Sequence, residues 1–181
     1  MGILIKILSC LVVVVILVNP LTFAQVSEIT PSQKAEDNAA VYYEKAFSLL
    51  KEYSVEETKE WEAVIKNGWK EENKKLEDIL KENEPAMQEM EKGLGLEKCD
   101  FTYNKPYSYL IEKAIPNIYK SRLLSNLIIL KGSMLEKNND FEHAIEAYLS
   151  LLKFSQHITQ GVSLVETMIS VAIINMAYRA L

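Results

Sequence analysis

The sequence has few cysteine, histidine and glycine residues, and each shortage excludes a kind of protein. Its two cysteines, Cys10 and Cys99, cannot supply the several disulfides of a small stapled domain. Two histidines are too few for a histidine-rich metal centre, which needs three or four ligands. The six glycines form no phosphate-cradling loop, and the motifs GxSxG, HExxH and CxxC are absent. We therefore predict no catalytic residue, no cofactor and no metal.

A basic surface is also lacking. The net charge is −5, and no stretch concentrates lysine and arginine on one face. This balance is unfavourable for binding nucleic acid and for binding anionic lipid headgroups. Asp140 and His143 stand three residues apart and could face one metal ion, but the role of Asp140 in a turn explains the pair more simply.

The abundant residue types favour helix. Apolar residues make up 49% of the chain and charged residues 25%, which allows a packed core and argues against disorder. Glu, Lys, Leu, Ala and Ile dominate, and these residues prefer helix to strand. We predict an all-α fold in which antiparallel helical hairpins pack in a layer, with residues 25–181 forming a single domain.

The first 24 residues have the three-part pattern of a secretory signal. A short segment bearing Lys6 precedes an uncharged run over residues 7–18, and Ala24 supplies a small side chain before Gln25. Cleavage there would leave a chain of net charge −6, because Lys6 is the segment's only charge. The alternative is an uncleaved membrane anchor through residues 3–18. Both interpretations predict an extracytoplasmic protein, periplasmic or secreted.

Apolar spacing and capping signals predict the helices of the first half. Ser54 and Glu57 form a capping box, and Asn67-Gly68 is a left-handed stop. The pattern predicts helices over residues 35–53, 55–66 and 69–82, and then an interruption at Pro85 and a short turn to Lys92. The charged surface of residues 56–92 fits a hairpin packed on one side, or a partner-binding edge.

The second half is more apolar. Residues 96–106 read as irregular, with a short helix at 107–114, a long core helix starting at Pro116 and ending near 137, and a helix at 141–157. A second capping box, Ser163 to Glu166, opens a last helix that is apolar nearly all round. Such a helix should be covered by something. We therefore expect that the chain continues beyond Leu181 or that this helix packs against another subunit.

Residues 125–158 resemble a tetratricopeptide repeat, a helix–turn–helix unit of 34 residues. Gly132 matches the small residue that lets the second helix approach the first. Asp140-Phe141 matches the acidic and aromatic pair of the turn, and Ala144 and Tyr148 match the second helix. Lys131 departs from the pattern, because a leucine is usual there. The resemblance implies a TPR-like or α-solenoid-like layer in which each unit needs neighbours.

The chain as a whole resembles a group of exported bacterial helical proteins. The shared features are the leader, an early helix like DNAAVYYEKAF, a loop like CDF and a late repeat-like hairpin. This resemblance implies a fold and a location but no activity.

Two functions remain open. The first is a protein–protein interaction or scaffold module that binds an unknown protein or peptide. The second is an enzyme or small-molecule binder with a site near the 96–110 loop, where Asp100, Tyr103 and Tyr107 cluster in sequence. A deep pocket lined by these side chains would favour the enzyme, and a shallow groove the module.

Overall fold

Helices make up most of the computed structural model, which describes residues 37–102, 107–160 and 164–181. These residues all belong to one contact unit, Lys34–Leu181. They contain seven helices and no strand, which confirms the all-α prediction. The helices are α1 (Ala39–Leu49), α2 (Val55–Asn67), α3 (Lys74–Glu82), α4 (Glu84–Leu94), α5 (Tyr107–Lys137), α6 (Phe141–Thr159) and α7 (Leu164–Ala180). The signal segment and Ser163 lie outside the described residues.

Asparagine and serine side chains decide where the first three helices begin. The capping box of Ser54 and Glu57 is confirmed, and Gly68 after α2 has φ +73°. Asn38 caps α1 and sets its start at Ala39, later than predicted, and the helix also ends earlier than predicted because Leu50 is extended. The predicted start of α3 at residue 69 is wrong, because the side chain of Asn73 accepts a hydrogen bond from the backbone N–H of Leu76 and sets the start at Lys74.

Both proline predictions fail. Pro85 lies in the first turn of α4, where its missing N–H costs nothing, so a helix rather than a short turn follows. Pro116 does not start a new helix, because α5 runs unbroken from Tyr107 to Lys137. A proline removes one backbone hydrogen bond from a helix interior. In α5 the packing of this long helix against the other six described helices outweighs the loss.

Helix α5 is the centre of the molecule, as its apolar sequence predicts. It contacts each of the other six described helices. Its buried side chains include Leu123, Leu124, Leu127, Ile128 and Leu130, whereas Met134 and Leu135 are partly buried. Helix α1 pairs with α4, whereas α6 packs against both α5 and α7, which also contact each other.

Gly132 allows the close approach of α5 and α6. A Cβ atom at this position would lie 2.6 Å from Cζ of Tyr148, whose side chain is fully buried. Asn139 turns the chain between the two helices with φ +62°. This contact is the one that the sequence pattern around Gly132 predicts.

Candidate binding groove and the adjoining loop

The loop after α4 is fastened to α1 by one asparagine. The Asn38 side chain donates from Nδ2 to the carbonyl of Asp100, and its Oδ1 accepts from the Asp100 backbone N–H, both at 2.8 Å. The same Oδ1 accepts from the backbone N–H of Ala40 at 3.1 Å. The Asp100 carboxylate accepts from the backbone and the hydroxyl of Thr102. Asp100 therefore serves as a turn residue.

Of the three residues predicted to cluster in this loop, the structure describes the side chain of Asp100 alone. Tyr103 lies outside the described residues, and Tyr107 begins α5 with no described side-chain position. The predicted cluster of three side chains therefore lies mostly outside the described residues.

Three further hydrogen bonds hold the loop. The backbone N–H of Ala39 donates to the carbonyl of Lys98 at 2.8 Å. The Gln160 amide accepts from the backbone N–H of Cys99 at 2.7 Å and donates to the carbonyl of Glu97 at 2.9 Å. The Cys99 side chain is buried, and burial raises the pKa of its thiol. A buried, protonated thiol fits a packing role and not a nucleophile.

A buried tyrosine–histidine pair lies beside this loop. The hydroxyl of Tyr43 on α1 is 2.5 Å from Nδ1 of His157 on α6. If Nδ1 accepts from the tyrosine hydroxyl, the neutral imidazole carries its proton on Nε2. Burial lowers the pKa of His157, with the Lys153 ammonium adding to the effect. No local signal in the sequence links these two side chains.

Asp140 and His143 form a capped turn at the start of α6. Asp140 accepts from the backbone N–H of His143, and its carboxylate is 2.8 Å from the His143 Nδ1 atom. This hydrogen bond raises the pKa of His143 and lowers that of Asp140. Within the described ranges, no three His, Cys, Asp or Glu side chains converge in a way that could hold a metal ion.

A surface groove of about 470 Å³ lies between α4, α5 and α6. Its apolar side chains come from all three helices, and Met90 and Ile128 are buried at its base. Polar side chains surround this apolar part. The lining residues are Met90, Glu91, Leu94, Ile128, Lys131, Leu135, His143, Glu146, Ala147 and Ser150. Sequence reasoning missed the groove because its walls come from segments far apart in the chain.

The polar rim of the groove keeps a negative charge after the ion pairs between its own side chains are counted. Lys131 on α5 pairs with Glu91 on α4 at 3.1 Å, across the groove's edge. His143 pairs with Asp140, as described above. The carboxylate of Glu146 helps to raise the pKa of His143 and adds negative charge to this rim. The geometry can therefore hold an apolar chain segment and attract a cation.

These features define an all-α protein with a three-helix surface groove. In the parts of the chain that the structure describes, no helix is both long and apolar enough to cross a bilayer. Comparison with family models, with curated proteins and with solved structures finds no match for this chain.

Proposed function

We propose that this protein is an extracytoplasmic interaction module that binds a segment of another protein in the groove between α4, α5 and α6. The groove itself carries the proposal. It combines a buried apolar base with a charged rim, the usual composition of a recognition surface. Its walls are helices rather than loops, so it exists before the partner arrives and costs little ordering on binding.

The lining residues specify the chemistry of the partner. Leu94, Leu135 and Ala147 offer contact to apolar side chains. Glu146 favours a lysine or arginine on the incoming segment, because Lys131 and Glu91 already pair with each other. A peptide with apolar residues next to a basic one meets both requirements.

Two sequence features support the rest of the proposal. The packing of Tyr148 on Gly132 fits the tetratricopeptide-like layer proposed for α5 and α6, a type of architecture that presents extended binding surfaces. Residues 1–24 have the pattern of a secretory signal, and we propose an extracytoplasmic location on that basis.

The test is a peptide-display selection on the full chain, followed by binding of the selected peptides to two α6 variants. Ser150→Arg places a long cation in the groove, and Gln156→Arg places the same residue at an exposed position outside it. We expect selected peptides to combine apolar and basic residues. Ser150→Arg should weaken binding about 10-fold or more by filling the groove and repelling the basic residue.

The Gln156→Arg variant should bind like the wild type. Equal binding of the same peptides to both variants would place the interaction elsewhere. Selected peptides without basic residues would contradict the electrostatic part of the proposal.

A further inference from the structure

The Tyr43–His157 pair lies where two helices and the loop after α4 (residues 95–102) meet. Tyr43 on α1 is fully buried, and His157 on α6 is 3% exposed. The Tyr43 ring stacks on Phe101 of the loop, with ring centres 6.3 Å apart. It also makes an edge contact with Phe154 of α6. The pair therefore joins α1, α6 and the loop in one buried cluster.

The loop is attached less firmly than the helices around it. Hydrogen bonds with Asn38, Ala39 and Gln160 hold it. Its side chains add the packing of Cys99 and Phe101 against the core. Helix α1, in contrast, pairs along α4, and α6 packs against both α5 and α7. A segment with few buried apolar contacts opens at a lower free-energy cost than packed helices, so an unfavourable change at the pair is relieved most easily by movement of the loop.

Protonation of His157 is such a change. Burial raises the pKa of Tyr43, so its hydroxyl keeps its proton and needs an acceptor. A protonated imidazole carries an N–H on both ring nitrogens and offers no acceptor. It also places a positive charge in a site that is almost fully buried, and burying an ion without a partner is costly.

The surrounding groups do not offset this cost. The Lys153 ammonium on α6 is a like charge and adds to the lowering of the His157 pKa. A contact with the Leu96 backbone raises that pKa, but burial has the larger effect. Three carboxylates act on the neighbouring Cys99 thiol. They are those of Glu44 on α1, Asp100 in the loop and Glu166 on α7. The closed cluster therefore favours a neutral His157, whereas an open cluster in which the ring reaches water favours the charged form.

We propose that the Tyr43–His157 pair is an acid-sensitive conformational switch that releases the 95–102 loop from α1 and α6 while the helices stay folded. Opening takes up one proton, so the open fraction rises as the pH falls below 6.5, the usual pKa of an exposed imidazole. The switch is independent of the proposed binding groove, because neither Tyr43 nor His157 lines it.

The test measures how accessible Cys99 is at different pH values. Cys99 is 2% exposed in the closed loop, and Cys10→Ser makes it the only thiol of the full chain. Its rate of reaction with dithiodipyridine is divided by that of a synthetic peptide of residues 96–102, which removes the pH dependence of the thiol itself. We expect this relative rate to rise about 10-fold from about pH 7.5 to about pH 5, because opening is linked to the uptake of one proton.

Two histidine variants identify the group that takes up the proton. His157→Gln keeps a side chain that can accept from Tyr43 but does not titrate, so its relative rate should not change with pH. His143→Gln removes the exposed histidine and should keep the full rise. A flat profile in the parent Cys10→Ser chain, or a rise that persists in His157→Gln, would overturn the proposal.

Hydrogen exchange of the wild type gives the answer even if His157→Gln does not fold. After correction for the intrinsic exchange rate, acid should increase opening at the backbone N–H groups of Cys99 and Asp100, which bond to Gln160 and Asn38. The backbone N–H of the buried Leu127 in α5 should stay protected over the same range. Equal acceleration at Leu127 would mean that the whole chain unfolds and would overturn the switch.

Discussion

At the scale of single residues, contacts between residues far apart in the chain and the small size of one glycine determine how the helices pack against each other. Tyr43 and His157 are separated by 114 positions and share a buried hydrogen bond. Tyr43 also makes an edge contact with Phe154, with ring centres 4.8 Å apart. Gly132 has no side chain, and Tyr148 occupies the space this leaves. Each of these contacts leads to a measurable expectation.

The histidine pair makes stability depend on pH. The folded-state pKa of His157 is lowered from 6.5 by burial, so the unfolded chain takes up the proton first. Its contribution is therefore complete above pH 6.5 and is lost as the pH falls below that value. We expect His157→Gln to cost about 1–3 kcal/mol at neutral pH through lost hydrogen bonding. The variant should also show a smaller loss of stability on acidification, measured by urea unfolding at several pH values.

The other histidine is the matched control. The pKa of His143 is raised by its hydrogen bond to Asp140, so its contribution is present below pH 6.5 and is lost as the pH rises. His143→Gln should therefore steepen the loss on acidification. The expectation fails if the two variants change the pH profile in the same direction.

The glycine contact allows a packing test. A methyl group at Gly132 would overlap the ring of Tyr148, which is buried and would have to shift to make room. We expect Gly132→Ala to lower the free energy of unfolding by about 1–3 kcal/mol. Gly95→Ala is the milder comparison and should cost less, because Gly95 has φ −67° and its added Cβ would lie 3.3 Å from the Lys92 carbonyl oxygen, farther than the overlap at Gly132. Equal stability of the two variants would show that α5 and α6 are not packed this closely.

At the scale of helices and loops, capping residues do more than start helices. Asn38 both caps α1 and holds the 95–102 loop through Asp100. Asn73 caps α3 with a hydrogen bond to its own helix. In sequence the two asparagines look alike, since each precedes a helical run. Only the fold shows that one of them joins two elements.

Replacing these caps should separate their roles. Asn38→Ala leaves the backbone N–H groups of Ala40 and Asp100 without an acceptor, and we expect a loss of about 2–4 kcal/mol. Asn73→Ala should cost about 1 kcal/mol. Hydrogen exchange distinguishes the two variants, because only Asn38→Ala should speed exchange of the Asp100 backbone N–H. Unchanged protection of Asp100 in this variant would contradict the assigned role of Asn38.

At the scale of the whole molecule, the packing rests on the central helix, and the predicted location rests on residues 1–24. Helix α5 contacts all the other described helices, so the groove and the packing of α7 both depend on it. Residues 1–24 lie outside the described residues, and their pattern predicts export with processing after Ala24.

Processing can be measured directly. We expect the exported protein to begin at Gln25, as determined by intact mass. Ala24→Arg should block cleavage, because the residue before the cut must be small, and should leave the precursor associated with the membrane. Ala35→Arg is the control and should be processed normally. A protein that stays in the cytosol with its leader intact would refute the prediction of export.

Much of the secondary structure could be predicted from sequence because its signals are local. Ser54 and Glu57, Gly68, and the turn around Asn139 act within a few residues of each other. The core positions of α5 follow from apolar periodicity. Pro116 misled the prediction because the packing of a central helix outweighs one lost hydrogen bond. The groove could not be predicted from sequence, since its walls come from three separate helices.

The sequence by itself determined that this protein is helical, where its core helix lies and where most turns fall, because helix propensity, capping and periodicity act over one or two turns. Only the tertiary structure decided that Asp100 holds a turn, that Tyr43 meets His157 and that α7 leaves large apolar side chains exposed. These outcomes depend on which helices become neighbours. That choice rests on contacts between residues far apart in the chain, which no short stretch of sequence encodes.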